Sequence, residues 1–440
     1  MRGQTEEILL RRHSAFLMVL ACLLVPAPAF PADAAPGNYT GPGSCGSTSC
    51  HGGIRPRSDN AVLQNEFTTW TLQDKHARAT GVLNNDVGKR MGVILGIDPS
   101  QSSKCLVCHS LNVPEDRQTR SFDKGEGVSC ESCHGPASNW LGPHTQRGWQ
   151  YEKGLELGMK NTRNLMGRAE VCLGCHLGDD NRSVDHEMIA AGHPDLYFEL
   201  DSFTAAMPPH WKETDKDPWI DVRALAVGQG VQLRENLLRI SREAKHFWPE
   251  YAELDCFACN HSSTAPKHSW RQARGYPDRR AGNPPWNSSR YVVFRVILGQ
   301  LDRDSAARLD AGIKQVDELV SDIRADPAKI AQAAAQAATT ADEVAKRMPG
   351  IQLDGSVGWR LIKAITANSD SIAGAGERSA EQAAMVLDSV FLASNRAAKV
   401  ANSQQISRAI AALFQLVENP SAYNPAPFAQ QMRSIGALVQ

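Results

Sequence analysis

The sequence predicts a mainly α-helical protein in two unlike parts: a loop-rich N-terminal part built around cysteine–histidine motifs, then a C-terminal helical bundle or helical wrap. Three observations carry this. Ten of the 11 cysteines fall into five close pairs, and histidine directly follows four of those pairs. Glycine, serine and proline crowd the same region, most densely over 37–58. From residue 269 to the end there is neither cysteine nor histidine, and apolar residues recur at helical spacing. At 440 residues the chain is long enough for one large or two medium domains. The divisions expected are 1–34, 35–287 and 288–440.

The first segment reads as an export signal. Arg11-Arg12 precedes the apolar run Ala15 to Val25, and small residues offer cleavage after Ala29 or Ala34. That run is too short to span a bilayer. Glu6-Glu7 is unusual in such a leader, and the residues after Arg11-Arg12 fit a twin-arginine signal poorly. Apolar residues continue past Cys22, which argues against lipidation there. The expectation is a mature protein outside the cytoplasm, periplasmic or otherwise exported, with no transmembrane segment. Lys and Arg number 47 against 48 Asp and Glu, so bulk charge gives no reason to expect a nucleic-acid partner.

Along the chain the motifs come in order. Cys45-Gly-Ser-Thr-Ser-Cys50-His51 has four residues between its cysteines, where the next three have two. A more helical stretch, about 60–80, carries Trp70 and His76, and 84–97 is another helix or turn. Then come Cys105-Leu-Val-Cys108-His109 and Cys130-Glu-Ser-Cys133-His134. From the latter a Pro-Ala-Ser-Asn-Trp-Leu-Gly-Pro segment leads to His144. Residues 149–168 read as loops with short helices. Cys172-Leu-Gly-Cys175-His176 opens a segment holding His186 and Ala-Ala-Gly-His193-Pro194, with His210 downstream. Leu233, Leu237, Ile240, Ala244 and Phe247 share a helix face, predicting a helix over about 222–247 that Pro249 stops. The last pair, Cys256-Phe-Ala-Cys259-Asn260-His261, departs by one residue, and 270–287 reads as an extended wrapping segment.

Paired cysteines in an exported chain suggest disulfides, and two such pairs suggest a zinc knuckle. The residue after each second cysteine discriminates. Histidine is 13 of 440 residues, so four such coincidences in five pairs have a probability on the order of a few in a million, whereas c-type haem attachment requires the pattern. Two thiols add to the haem vinyl groups and the following imidazole is held under the iron. The reading is four haem c groups, on Cys45/Cys50, Cys105/Cys108, Cys130/Cys133 and Cys172/Cys175, with His51, His109, His134 and His176 as proximal ligands. At Cys256/Cys259, three outcomes stand: His261 reaches the iron, the iron lacks a strong proximal ligand, or the cysteines form a disulfide.

Sixth ligands are sought among the remaining histidines. His144 and His193, near motifs and beside Gly/Pro bends, come first; His76, His186 and His210 follow, and His246 and His268 are the expected bystanders. No methionine is better placed. Two histidines per iron imply low reduction potentials.

In the C-terminal part, Leu309, Ile313, Val316, Val320 and Ile323 mark one helix face. Pro327 can start the next helix, and Met348-Pro349-Gly350 ends it. The alanine-rich 328–345 run reads as a solvated helix, a close-packed helix or a partner surface. Further helices are predicted at 356–368, 378–400, 404–418 and 426–438.

Trp70 with Asp74-Lys75-His76-Ala77, Gly127-Val-Ser-Cys130 through Ala137 to His144, Cys172–His176 with Ala190-Ala-Gly-His193-Pro194, and Asp255-Cys-Phe-Ala-Cys259 together resemble the cytochrome c554-related family of multihaem c-type cytochromes. The resemblance covers about 38–290. It implies a helical, loop-rich multihaem cytochrome c domain around closely packed haems. In relatives two histidines end the last motif, so Asn260 is a departure. The function expected is electron relay between redox partner proteins or quinol-linked donors, with no catalytic residue. A possible complex through the C-terminal helices is left open. The alternative is an oxidoreductase acting on a small nitrogen or sulfur compound at an open haem.

Overall fold

The computed structural model describes residues 37–59, 62–212, 216–256, 259 and 283–439. The expected signal, Asn260, His261, His268 and most of the wrapping segment lie outside these. Among the described residues the fold is helical, and extended pairing is limited to isolated bridges, Tyr39 with Gln118, Asp179 with Arg182 and Leu254 with Trp286. The mainly α expectation is borne out.

One helix organises the molecule. Ile220–His246 is buried on nearly all sides, and it contributes to two apolar cores. Leu233, Leu237 and Ile240 join one core with Leu173, Leu177 and the 327–347 helix. Val222 and Leu225 join another with the helices Val357–Ala367, Glu377–Ala397, Ser403–Val417 and Pro425–Leu438. A helix covered on most of its circumference belongs inside the protein, and its buried polar residues need partners there.

The alanine-rich run proves to be close-packed. Asp326 accepts the Ala328 N–H at 2.9 Å, and Pro327 takes the first helical position, so Pro327–Arg347 starts where its N-terminal donors are capped. Ala334, Ala337, Ala338, Ala341 and Ala345 are all buried. Small residues allow close approach to Ile220–His246: a Cβ added at Gly230 would stand 3.0 Å from the Ala345 Cβ.

One helix escaped the sequence reading. Ser289–Leu301 buries Tyr291, Val293, Phe294, Ile297 and Leu298, so apolar residues occupy most of its circumference and leave no single-face period to detect. The 60–80 stretch is shorter than expected, with a helix over Glu66–Gln73 that ends at Asp74. No helix among the described residues is long and apolar enough to cross a membrane.

The long helix also holds the motif-bearing loops. Arg239, buried, donates to Leu177 O at 3.3 Å and to Val184 O at 2.9 Å, and pairs with Glu253 at 2.7 Å. Asn236 donates to the other Glu253 oxygen at 2.8 Å. Arg239 thereby fixes the exit from His176 and the turn that leads into Cys256. Replacing Arg239 with Met should leave Glu253 buried without its cation, at a cost of about 3–5 kcal/mol. Chemical denaturation of the purified variant checks this, and an unchanged midpoint would contradict it.

Candidate functional site

The cysteine–histidine motifs sit on short helices packed together. Cys105–His109 closes the helix Ser103–His109, Cys130–His134 is a helix by itself, and Cys172–His176 ends Leu165–His176. Asn164 caps the last of these by accepting from Met166 N and Gly167 N. The Cys45 thiol lies beside that of Cys130, and the Cys108 thiol beside that of Cys175. The first motif therefore abuts the third, and the second abuts the fourth. Each described cysteine is free, and none is joined in a disulfide.

Three imidazole pairs face one another. His51 and His144 have ring centres 6.2 Å apart with planes 11° from parallel. His76 and His176 are 6.2 Å apart at 89°, and His109 and His193 are 6.4 Å apart at 83°. A metal–imidazole bond of about 2 Å, plus about 1.2 Å back to the ring centre, sets two rings on opposite sides of one metal about 6.4 Å apart. Each pair takes one member from a cysteine motif and one from outside. The residues present fit a haem iron held between two histidines. Among the described residues no group of three or more His, Cys, Asp or Glu converges as a zinc knuckle would require.

The rings are oriented by their other nitrogen. Nδ1 lies 2.8 Å from Glu66 Oε2 for His51 and 2.9 Å from Asp74 Oδ1 for His76. For His109 the partner is Ala79 O at 3.0 Å, for His144 Leu141 O at 2.6 Å, for His193 Pro194 O at 2.8 Å and for His210 Pro208 O at 3.2 Å. Carbonyl and carboxylate oxygens only accept, so Nδ1 carries the proton and Nε2 keeps its lone pair for a metal. Burial, with His210 nearby, holds His134 down to about 4, and burial beside His76 holds His176 down to about 4. Both are then neutral near pH 7, the form that ligates. Burial pushes the Cys133 thiol up to about 11 and Cys172 up to about 12, while Cys175, beside Cys108 and Arg182, is held down to about 6.

The remaining candidates are spread more widely. His210 stands against Trp211, ring centres 4.8 Å apart. His186 packs on Tyr251 at 5.5 Å, and its N–H donates to Glu250, beside the turn that leads to Cys256. Where the chain departs toward Cys256 and returns at 283, Asp255 N donates to Pro285 O and Asn287 N to Glu253 O, both at 2.9 Å. Cys256 and Cys259 are exposed.

Several residues to which the sequence reading gave no role in the site help to build it. Glu131, an intervening residue of the third motif, is buried, 1% exposed. It accepts from Thr40 N, Gly41 N and Ala137 N at 2.7–2.9 Å, fastening the N-terminal loop to the turn after His134. A carboxylate between two haem-motif cysteines was the available signal. Gly127 holds φ at +78° under the His76 and Ala77 carbonyls, where a Cβ would come within 2.7 Å of each oxygen. Trp70 Nε1 donates to Val128 O and Val128 N to His76 O, both at 3.0 Å. From the far side, Gln232 and Gln382 both donate to Phe198 O, and the Phe198 ring lies 5.6 Å from His176.

Residues 45–135 match the family described as cytochrome c554 and c-prime. The resemblance to the cytochrome c554-related family is borne out over those residues. They hold the first three motifs and the Trp70–His76 stretch, a shorter span than the 38–290 read from the motifs. Cytochrome c-554 of Nitrosomonas europaea is 30% identical over 123 residues, covering 23% of this chain and 48% of that protein. The chain thus spans about half the length of that curated relative. No solved structure matches it.

Removing Glu131 gives a direct check on the site's frame. Glu131→Ala would strip acceptors from three backbone N–H groups, each costing about 1–3 kcal/mol when left buried and unpaired. A fall in denaturation midpoint is expected. Unchanged stability would show that the Thr40–Gly41 loop is held by something else.

Proposed function

We propose that this chain is an exported multihaem c-type cytochrome that relays electrons between redox partner proteins or quinol-linked donors. In this reading it carries four haem c groups on the four Cys/Cys/His motifs, and Cys256/Cys259 is the candidate place for a fifth. The observation that supports it most is the set of three imidazole pairs at iron-sandwich spacing, each joining a motif histidine to one from elsewhere in the chain.

Bound haem c supplies a one-electron Fe(III)/Fe(II) couple. The chain's part is to hold and insulate it. His51 with His144, His76 with His176, and His109 with His193 would be the axial sets. His134 would take His210, whose nearness already depresses its basicity. His186, beside the turn into Cys256, is the candidate for the fifth iron. The thiol contacts Cys45–Cys130 and Cys108–Cys175, with Cys133 set close to both Cys172 and Cys175, give an order of motifs: 45–51, 130–134, 172–176, 105–109. Neighbouring motifs in that order supply the close spacing a relay needs. The leader-like segment before residue 35 supports export.

A pyridine haemochrome assay should return four or five haems per polypeptide, and fewer than three would overturn the reading. His144→Ala should keep the haem count and open one iron, seen as a high-spin fraction that binds cyanide. A purely low-spin spectrum in that variant would remove the His51–His144 assignment. Ring orientation gives a separate signature. Each imidazole's filled π orbital raises one iron dπ orbital, so near-parallel rings split the pair and perpendicular rings leave it nearly degenerate. Electron paramagnetic resonance of the oxidised protein should therefore show one rhombic low-spin species, from the 11° pair, and strongly anisotropic species from the 89° and 83° pairs. Rhombic signals alone would contradict the pairing.

A further inference from the structure

The acceptors that fix the imidazoles are of two kinds. His51 and His76 donate Nδ1–H to carboxylates, whereas both members of the His109–His193 pair donate to neutral backbone carbonyls. We propose that Glu66 and Asp74 are potential-setting residues. Acting through His51 and His76, they make the His51–His144 and His76–His176 irons the low-potential members of the relay and leave the His109–His193 iron as its electron sink. This rests on the relay reading above.

A carboxylate that accepts Nδ1–H draws the proton toward itself and makes Nε2 a stronger donor, which stabilises ferric over ferrous iron. A carbonyl does the same more weakly, because charged acceptors make hydrogen bonds roughly twice as strong. A nearby negative charge also opposes the arrival of an electron directly, and more so when buried. Both carboxylates are held in place for this role. Glu66 Oε1 accepts from Leu63 N at 2.8 Å and Gln64 N at 3.1 Å, which leaves Oε2 for His51. Asp74 is 5% exposed, and its Oδ1 takes both the His76 N–H and the His76 ring at 2.9 Å. The motif order then runs from a carboxylate-backed iron at 45–51 to a carbonyl-backed one at 105–109, so the relay is polarised. With haem bound, an electron from a redox partner would reduce a first iron and pass to the next, returning the first to ferric, while Glu66, Asp74 and the carbonyls would keep the Nδ1 protons in place.

Spectroelectrochemical titration of the holoprotein tests this with Glu66→Gln and Asp74→Asn, which keep an oxygen acceptor and remove the charge. Each variant should raise the midpoint of one haem by about tenfold in its ferrous-to-ferric ratio at fixed potential, which is about 59 mV for a one-electron couple. The double variant should raise two. Glu66→Asp should move the first haem back toward its original midpoint. Unchanged midpoints in variants with a full haem complement would overturn the proposal. Where a variant loses haem, the wild-type protein decides: its rhombic signal, from the near-parallel His51–His144 pair, should be among the last to vanish on reductive titration, and its early loss would overturn the proposal. A wild-type count below three haems sinks the relay reading itself, whereas a full complement with unmoved midpoints sinks only the roles of Glu66 and Asp74.

Discussion

Between residues 37 and 160 the chain has almost no apolar core of its own. The cluster that forms there consists of Leu83, Cys105 and Leu106, with Ile97 against it. The rest of the protein is the reverse, with two large cores sharing the Ile220–His246 helix. A segment of that length must bury apolar surface to offset the entropy of ordering its backbone. The three Cys/Cys/His motifs within it explain how it can: macrocycles tethered by cysteine would be the apolar filling, and polypeptide would wrap them. The low aromatic content, 6% of the chain, fits an interior furnished by prosthetic groups.

That constraint accounts for how much of the N-terminal fold consists of polar fasteners instead of packed side chains. Glu131 grips the backbone of three residues, Trp70 grips Val128, and the backbone of 127–128 is laid against His76. Each fastener ends within a few residues of an imidazole. Precision of ring placement is what they supply, since a misplaced ligand costs a metal site its affinity and its tuning. The helical part does the same from its own side. Gln382, from a C-terminal helix, and Gln232, from the long helix, reach one carbonyl whose residue stacks on His176. The helices with no cysteine or histidine are thereby part of the frame around the fourth motif.

Local patterns were legible in the sequence. The motif cysteines and histidines, the long helix and its stop at Pro249, and the start of the next alanine-rich helix at Pro327 all rest on short-range rules of spacing, capping and backbone restriction. Long-range choices were not legible. His144 follows His134 closely, yet its ring faces His51, because the bend after Trp140 aims it away from its neighbour. Spacing along the chain carries no information about such a choice, and neither do the backbone carbonyls that select a tautomer. Glu131 was hidden for another reason: in the motif its position is formally free, and only the folded N-terminal loop gives it donors. Ser289–Leu301 was hidden because its apolar run from Tyr291 to Leu298 is broken only by Arg295, so no helical period stands out.

The crossed imidazole pairs have a consequence for how the protein is made. Each would close a long loop through metal, much as a disulfide closes one through sulfur, and closing long loops removes more freedom from the unfolded chain than closing short ones. A polypeptide threaded through a membrane from its N-terminus would present Cys45–His51 well before His144, and Cys105–His109 well before His193. The earliest irons to be attached would wait half-ligated until later chain emerges. In that interval they would be open to small ligands and to the wrong histidine, and the nearest wrong partner differs for each. Maturation is thus a sorting problem in time, and backbone contacts that aim each ring before its iron is shared are one way to solve it.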